Sequence, residues 1–484
     1  MGLKEKTVSS IKWNTVATVV TMVIGILQLA ILTRLLDKAD FGLIAIATMV
    51  ISFTDIFAEL GIASALIHKQ NITQEEYSSV YWLNIGLSVI VFALTCLVAP
   101  MVATFYKAPA LTLIIRLLSL KIVLTAFGKL FQTIKSKNLE FGFISKVRIL
   151  SSVVGIVAST AFAWYGFGVM SLVYGELLKY ASNQIIYAIA GMKQMRIMFH
   201  FRFSEIRDVL RIGGYQLGSQ VMDFVASRLD ILLIGKFFSM DELGVYNIAK
   251  DLINKPFMIV NSVSANVFSA AFAKIQNNIQ SVINNYNKLI KTIAMIMLPV
   301  YCGMFIFADL LVAILYAPSF SEVSFFIRIL SLVGICSSLT SQAGTVMIAL
   351  GRTDLGMRWT IVRIALSTVV LLTTARLGLI ILAEGQSVLS VATLLIYFFV
   401  VIRPMFYNSL SLKQYFSAFM GVVLGALMLS APFAIFNICF NVPVTVQVAM
   451  VVAYIALYCF YLYVFYRVEF KEIIKYIVPS RYKR

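Results

Sequence analysis

Polar and charged side chains recur on one face of an apolar segment near the middle of the chain. At about 100° per residue, as in an α-helix, they fall within an arc of about 140° and leave the opposite face apolar. These residues are Asn247, Lys250, Asp251, Asn254, Lys255, Asn261 and Ser262. We interpret this face as the wall of a water-filled cavity. Pro256 lies in the same stretch, where its missing N–H favours a kink or a break.

Other apolar segments also carry basic residues, and a charge inside hydrocarbon costs at least about 2.5–3.5 kcal/mol. These side chains therefore need a polar destination. The candidate cavity residues are Arg116, Lys121, Arg228, Arg328 and Arg363, together with Lys250 and Lys255. Such a set suits an anion better than a cation, and phosphate is the evident anion, because arginine offers paired donors and lysine a compact charge. For Arg116 and Arg328 a second interpretation stays open, in which they extend to the lipid headgroups.

Acidic residues accompany these bases in the same segments. They are Asp55, Glu59, Asp223, Asp230 and Asp251. The sequence leaves two roles open for them, pairing with the bases or binding a coupling proton or sodium ion. Polar stripes at Asn14, Thr21 and Gln28, and at Gln216, Asp223 and Asp230, either line the same cleft or bond neighbouring helices.

The elements that must position these residues are apolar segments long enough to cross a bilayer, about 20 residues each. Fourteen recur from end to end, at about 12–36, 40–66, 77–105, 109–134, 141–165, 168–190, 213–238, 242–273, 292–316, 322–350, 354–377, 380–403, 414–437 and 444–467. The first lacks a small-residue cleavage site after a short apolar core, so we expect it to be an uncleaved helix. The sequence therefore predicts an all-α, polytopic membrane protein with about 14 transmembrane helices.

Composition and charge agree with this class. The chain has 484 residues, of which 60% are hydrophobic and 13% charged, too apolar for a soluble globule. Its 40 basic and 22 acidic residues give a net charge of +18. Most basic residues lie before span 1, after span 14 and in the loops after even-numbered spans, which predicts that both termini are cytoplasmic. The basic excess is thus a topology signal, and we expect no nucleic-acid partner.

An internal repeat organises the spans. "IIRLLSLKIV" (114–123) aligns with "FIRILSLVGI" (326–335), and "LTRLLDKADFGLIAIA" (32–47) aligns with "IGKFFSMDELGVYNIA" (234–249), which superimposes Gly42 on Gly244. Spans 1 and 4 thus correspond to spans 7 and 10. Because six spans separate each pair, the copies enter the membrane in the same direction, which predicts two parallel six-helix lobes around a cleft.

The repeat also predicts the domain boundaries. We expect an N-lobe over 1–190 and a cytoplasmic linker with a short amphipathic stretch over 191–212. A C-lobe follows over 213–403, and two extra helices with a basic cytoplasmic tail occupy 404–484. Two lobes around a cleft favour a transporter that alternates access to a central site.

Three segments carry a resemblance to a known family. They are "LKEKTVSSIKWN" (3–14), "FGLIAIATMVISFTDIFAELGIASALIHKQ" (41–70) with "YWLNIGLS" (81–88), and "YNIAKDLINKPFMIVNSVSANVFSAAFAKIQ" (246–276). They resemble bacterial polysaccharide transporters of the colanic-acid-exporter type, in the multidrug/oligosaccharidyl-lipid/polysaccharide superfamily. The resemblance implies a flippase of the bacterial inner membrane that moves undecaprenyl-diphosphate-linked oligosaccharide repeat units from the cytoplasmic to the periplasmic leaflet. Capsule, exopolysaccharide or O-antigen assembly would use these units.

The resemblance further implies membrane lipid as a partner, together with a polymerase and a chain-length regulator of the same pathway. We expect no enzymatic activity, no cofactor and no metal, since the sequence shows no GxSxG, HExxH or P-loop pattern and no metal-ligand spacing. Two rival functions remain, a multidrug cation extruder of the same superfamily and a membrane polysaccharide polymerase. An extruder would favour an acidic, aromatic cavity, and a polymerase a large external loop.

Overall fold

The computed structural model describes residues 3–59, 73–193, 197–440 and 442–470. Within these ranges, the side chains at 3–8, 11, 59, 204–216, 262–267, 269–270 and 438 are not described. Regular structure in the described part is helical throughout. The predicted all-α class is confirmed.

The helices follow the predicted apolar segments closely. The first eight are α1 (Leu3–Leu32), α2 (Lys38–Glu59), α3 (Gln74–Phe105), α4 (Ala110–Lys137), α5 (Phe141–Trp164), α6 (Val169–Met192), α7 (Phe203–Phe237) and α8 (Met240–Ile275). They are followed by α9 (Ile279–Ile306), α10 (Ala308–Leu315), a 3₁₀ turn (Pro318–Phe320), α11 (Val323–Thr340), α12 (Ala343–Ala349), α13 (Thr353–Thr374), α14 (Leu379–Tyr397), a π-helical turn (Phe398–Ile402), α15 (Arg403–Met405), α16 (Leu412–Cys439) and α17 (Val444–Phe465).

Eleven helical segments of the described chain are long and apolar enough to cross a membrane. Three other helices, α6, α7 and α8, have 24, 35 and 36 residues, and they carry more polar side chains. The chain is thus a multi-pass helical membrane protein, while the count of fourteen spans and the side on which the termini lie stay predictions. Helix α8 runs unbroken over Pro256, so a break there is excluded.

By contact, the chain divides into two compact units. The first comprises Met1–Ile248, Leu315–Phe320 and Leu371–Leu379, and the second Ala249–Ile314, Ser321–Val370 and Ile380–Arg484. This division groups residues by their contacts in the structure. The predicted boundaries instead follow the sequence repeat, whose first copy ends at 190 and whose second copy begins at 213. The predicted lobe boundaries stay a prediction.

In the first unit, helix α4 packs against α2, α3, α5 and α6. Helix α3 begins at a capping box, in which the Thr73 hydroxyl accepts from the Glu76 amide at 3.2 Å and the Glu76 carboxylate accepts from the Thr73 amide at 3.1 Å. Helices α5 and α6 approach closely because Gly175 faces Ser159. Small residues thus let these helices pack at short range.

The two glycines that the repeat superimposes lie in close contact at the start of their helices. A Cβ atom on Gly42 would overlap the Met240 carbonyl, and one on Gly244 would overlap the Lys38 carbonyl. Each glycine therefore lets the backbone at the start of the other helix approach. The starts of α2 and α8 thus pack against each other through backbone atoms.

The segment between α6 and α7 is tied to the start of α3. The Met198 amide donates to the Ser78 hydroxyl at 3.0 Å, and the Arg202 amide donates to the Ser79 hydroxyl at 3.1 Å. The Trp82 indole donates to the Met198 carbonyl at 2.9 Å and stacks on the Phe199 ring. Hydrogen bonds thus hold residues 198–202 against the start of α3 on both sides of Phe199. We call this segment the strap.

In the second unit, α9 packs against α11, α16 and α17. The Asn437 amide donates to the Ile306 carbonyl at 2.8 Å, and Tyr454 packs among Cys302, Phe307 and neighbouring apolar residues. Gly425 faces the Tyr461 ring, whose hydroxyl donates to the Gly421 carbonyl at 3.0 Å. This glycine pair thus brings α16 and α17 together.

Candidate functional site

A polar cavity of about 380 Å³ lies in the first unit, lined by residues of α2, α3, α4, α5 and α6. Its polar lining comprises Asp55, Asn84, Ser88, Lys121, Thr125, Lys129, Gln132, Arg148, Ser151, Ser152, Lys179, Tyr180, Asn183 and Gln184. Four of these side chains are basic and one is acidic. The cavity thus concentrates positive charge inside a membrane-spanning helix bundle.

The local sequence places these side chains on one face of each helix. On α4 the polar lining residues are Lys121, Thr125, Lys129 and Gln132, at spacings of four, four and three. This spacing is the period of an α-helix, so these side chains lie above one another on the same side. On α6 the lining residues form two pairs that are each four residues apart, Lys179 with Asn183 and Tyr180 with Gln184.

Two ion pairs meet around one aromatic ring at the cavity. The Lys121 ammonium lies 3.1 Å from the Asp55 carboxylate, and Lys179 lies 3.2 Å from Glu176. The two ammonium nitrogens are 4.3 and 5.6 Å from the centre of the Tyr180 ring. Ring and carboxylates together stabilise these charges away from bulk water.

Arg148 is held from the side of α1. Its guanidinium donates to the Asn14 carbonyl at 3.0 Å, and to the Asn14 and Thr18 side-chain oxygens at 3.2 Å each. Asn14 belongs to the polar stripe predicted on span 1. Asn14 therefore accepts hydrogen bonds between α1 and α5, which is one of the two roles that the sequence left open for the stripe.

Three buried polar atoms of the lining residues have no hydrogen-bond partner within the described residues. They are the Arg148 Nε, the Ser151 Oγ and the Gln184 Oε1. Buried polar groups are normally paired, and an unpaired one costs about 1–3 kcal/mol. The set comprises a charged donor, a hydroxyl and an acceptor. A ligand that carries both an anionic group and hydroxyl groups matches all three.

Of the predicted site residues, the structure brings Lys121 and Asp55 together in this cavity. Arg116 is exposed and donates to the Cys96 carbonyl at 3.2 Å, and Arg328 pairs with Asp309. Both arginines therefore have partners near the end of their helices.

The predicted residues on α7 differ in exposure. Asp230 is buried and accepts from the Tyr246 hydroxyl at 2.7 Å and from the Ile231 amide at 2.9 Å. Asp223 is exposed and Arg228 half-buried. Asp230 thus holds a local contact between α7 and α8, and its predicted role in ion coupling stays a prediction.

On α8, the Lys255 ammonium pairs with the Asp251 carboxylate one turn away, at 2.7 Å. Asn247 and Lys250 are half-buried, whereas Asn254 and Asn261 are exposed. Arg363 is half-buried on α13, and the Glu59 side chain lies outside the described residues. The predicted roles of these residues in binding and coupling stay predictions.

The sequence interpretation missed Lys129, Arg148 and Lys179 as cavity residues. Lys179 forms an ion pair with Glu176 on its own helix. A usable signal was present, since polar residues recur at helical spacing on both α4 and α6.

Comparison with known proteins gives a consistent picture. The model of a family described as "Polysaccharide biosynthesis protein" matches residues 31–325. The lipopolysaccharide biosynthesis protein WzxC of Escherichia coli (strain K12) is 25% identical over 410 residues, which are 84% of this chain and 83% of that protein. The teichuronic acid biosynthesis protein TuaB of Bacillus subtilis (strain 168) is 26% identical over 360 residues, 74% of each chain.

Solved structures share the fold at lower identity. A lipid II flippase, MurJ, in an inward closed conformation superimposes with a TM-score of 0.76 at 14% identity, covering 93% of this chain and 98% of that one. An inward-facing multidrug resistance transporter of the MATE family superimposes with a TM-score of 0.58 at 15% identity, covering 83% and 96%. The resemblance predicted from the sequence motifs is confirmed.

Proposed function

The chain belongs to the polysaccharide biosynthesis protein family, and from this premise we propose that it is a flippase for lipid-linked oligosaccharides. Its substrate is an undecaprenyl-diphosphate-linked repeat unit, which it moves from the cytoplasmic to the periplasmic leaflet of the bacterial inner membrane. The product serves the assembly of a capsule, an exopolysaccharide or an O-antigen. A polymerase and a chain-length regulator of the same pathway act after it.

The observation that carries this proposal is the basic cavity of the first unit. Lys121, Lys129, Arg148 and Lys179 surround it, against Asp55 as the acidic lining residue. A charge in hydrocarbon is costly, so such a set is retained where it meets an opposite charge. A diphosphate supplies that charge, and the attached sugar supplies hydroxyl groups for Ser151 and Gln184.

Transport by this route needs no bond to be made or broken. The diphosphate and sugar enter the polar interior while the polyprenyl chain stays in lipid. Alternating access then exposes the headgroup to the other side of the membrane. We propose that the protein acts as a transporter without catalysis, and its family and fold support this.

Asp55 is the acid best placed for ion coupling. Its carboxylate pairs with Lys121, and an incoming phosphate competes with it for the same ammonium. When the ammonium is displaced, a proton or a sodium ion takes its place beside the carboxylate. We therefore propose that binding of the substrate is accompanied by uptake of a cation at Asp55.

Depletion of the protein tests the function directly. We expect lipid-linked oligosaccharide to accumulate on the cytoplasmic leaflet, because the headgroup no longer crosses. Lys129→Gln should reproduce this defect, since it removes a cavity charge. Lys137→Gln, two turns further along α4 and outside the lining, serves as the matched control. Equal flipping by the two variants, or depletion without accumulation, would contradict the proposal.

Membrane potential provides a second test. A headgroup with about two negative charges that moves outward across an inside-negative membrane gains about 2.3 kcal/mol per charge per 100 mV. Flipping in proteoliposomes should therefore accelerate when such a potential is imposed. Equal rates with and without the potential would exclude net movement of charge.

The structural similarity to a multidrug transporter suggests a second candidate function, the extrusion of organic cations. An extruder of organic cations needs acidic groups in its binding cavity, and here the basic lining residues outnumber the acidic one. Depletion that raised drug sensitivity and left lipid-linked sugars unchanged would favour the extruder. Unpolymerised units accumulating outside the membrane would instead favour a polymerase.

A further inference from the structure

A second polar cavity, of about 680 Å³, lies in the second unit. It is formed where the first turns of α9 and α16 meet residues 466–469, which follow α17. All three chain segments are at the predicted cytoplasmic end of their spans. Helix α9 has 28 residues and is therefore about 42 Å long, which exceeds the hydrocarbon thickness of about 30 Å. The excess of about 12 Å is about two turns, so residues between two and about three turns from the start of α9 lie near the depth of the lipid headgroups.

This cavity contains a formed anion site, occupied by a carboxylate of the chain itself. The Lys291 ammonium donates to the Glu469 carboxylate at 2.6 Å and lies 4.7 Å from the centre of the Tyr466 ring. The hydrogen bond from Lys291 lowers the pKa of the Glu469 carboxyl group, and the nearby charge of Lys288 contributes to the same effect. Two ammonium groups thus stabilise one negative charge at this point.

The cavity also contains a hydrogen-bond acceptor to which a ligand can donate. The buried Asn287 Oδ1 has no hydrogen-bond partner among the described residues. The Tyr466 side chain closes one wall against Gly421, where a Cβ atom would lie 2.8 Å from the tyrosine hydroxyl. A ligand that brings a phosphate and a hydroxyl group would satisfy the lysines and the asparagine together.

We propose that Lys288 and Lys291 bind the phosphate of a lipid headgroup from the cytoplasmic leaflet, and that this phosphate displaces the Glu469 carboxylate. Asn287 then accepts a hydrogen bond from a headgroup hydroxyl. Two lipids carry this chemistry, an anionic phospholipid with a hydroxylated headgroup and the polyprenyl diphosphate itself. Binding at this site also frees residues 466–470 from α9.

Lipid retention by the purified protein tests the proposal. The protein is placed in bilayer discs of phosphatidylcholine alone or mixed with phosphatidylglycerol, and bound phosphatidylglycerol is counted by native mass spectrometry. Lys288→Gln and Lys291→Gln should each lower its affinity about fivefold, which corresponds to about 1 kcal/mol per basic residue near an anionic lipid. Glu469→Gln should raise the affinity, because the competing carboxylate is gone. Lys413→Gln, in the first turn of α16 and outside the lining, should leave it unchanged.

Two further arms identify the source of the phosphate. Undecaprenyl diphosphate that competes with phosphatidylglycerol shows that both lipids use the site, and binding of undecaprenyl diphosphate alone assigns the site to the transported lipid. Inorganic phosphate that binds as well as either lipid would overturn the assignment to a lipid. Equal weakening by Lys413→Gln and Lys291→Gln would overturn it too, as would a Glu469→Gln variant with no gain in affinity.

Discussion

Asp55 and Lys121 contribute to the folded state and to the proposed binding site in different ways. Their side chains are 28% and 15% exposed, so the pair is screened by surrounding helices rather than by free solvent. Removing one partner of such a pair leaves the other charge uncompensated, which costs more than removing both. Stability and transport should therefore respond differently to single and double substitutions.

We predict that Asp55→Asn and Lys121→Gln each destabilise the protein and that the double variant recovers part of the loss. The coupling free energy should be about 0.5–3 kcal/mol, the range for residues in contact. Transport should stay low in the double variant, because the ammonium group that meets the phosphate is absent. Unfolding curves and flipping rates of the four proteins provide the test. Normal transport by the double variant would remove Lys121 from the site.

Glu469 gives the second unit a dependence on pH. The hydrogen bond from Lys291 lowers its pKa in the folded protein, whereas an unfolded glutamate has a pKa of about 4.3. The pair therefore contributes stability above the unfolded value and loses it as the pH falls through the lower folded value. We expect the difference in unfolding temperature between the native protein and Glu469→Gln to vanish on acidification below about pH 4. A difference that stays constant there would contradict the ion pair.

At the scale of the helix, glycines set how closely the cavity walls pack. A Cβ atom on Gly175 of α6 would lie 2.5 Å from the Ser159 Cβ and 3.0 Å from the Ser159 Cα, both on α5. A Cβ atom on Gly86 of α3 would meet nothing within 4 Å. A Gly→Ala substitution is therefore crowded at position 175 and has free space at position 86.

Gly175→Ala should destabilise the protein by about 1–3 kcal/mol, because α5 and α6 must separate to admit the methyl group. Gly86→Ala should be neutral or stabilising by up to about 1 kcal/mol, from its higher helix propensity. Measuring the free energy of unfolding of both variants in the same detergent tests this prediction. Equal losses for both variants would show that packing does not limit this position.

Helices were predictable from the sequence because length and apolar period are local properties. Within the described residues, the predicted apolar segments overlap helices, and the π-helical turn at Phe398–Ile402 left no signal in the pattern. Whether a charged residue in such a helix faces lipid or a neighbour depends on which helices pack together. Lys179 shows this, since its role follows from Glu176 on its own helix and from cavity walls on four others. The sequence therefore predicted charges that need a polar site, but not the cavity that holds them.

At the scale of the whole molecule, the two glycines that the sequence repeat superimposes, Gly42 and Gly244, lie at one contact between the starts of α2 and α8. Each residue admits a carbonyl from the opposite helix start, Met240 in one case and Lys38 in the other. Both glycines are therefore needed for the same close approach between the starts of α2 and α8. A methyl group at either position opens the same contact.

We predict that Gly42→Ala and Gly244→Ala each cost about 1–3 kcal/mol of stability, the usual range for overpacking. The double variant should cost little more than either single one, because the helices are already apart. Gly218→Ala, whose Cβ atom would meet nothing within 4 Å, is the control and should show no loss. Thermal unfolding of the four variants measures this. Strictly additive losses would mean that the two glycines act independently.

The strap at residues 198–202 limits how the chain can move between α6 and α7. With both Met198 and Arg202 bonded to the start of α3, little free length remains before α7 begins at Phe203. Because Arg202 is bonded to α3 and directly precedes α7, we expect any movement of α7 relative to α3 to be absorbed at the junction of Arg202 and Phe203. Ser78→Ala and Ser79→Ala would remove the two acceptor hydroxyls at these buried positions without adding volume, and we expect them to change the rate of transport while the affinity for the substrate stays the same.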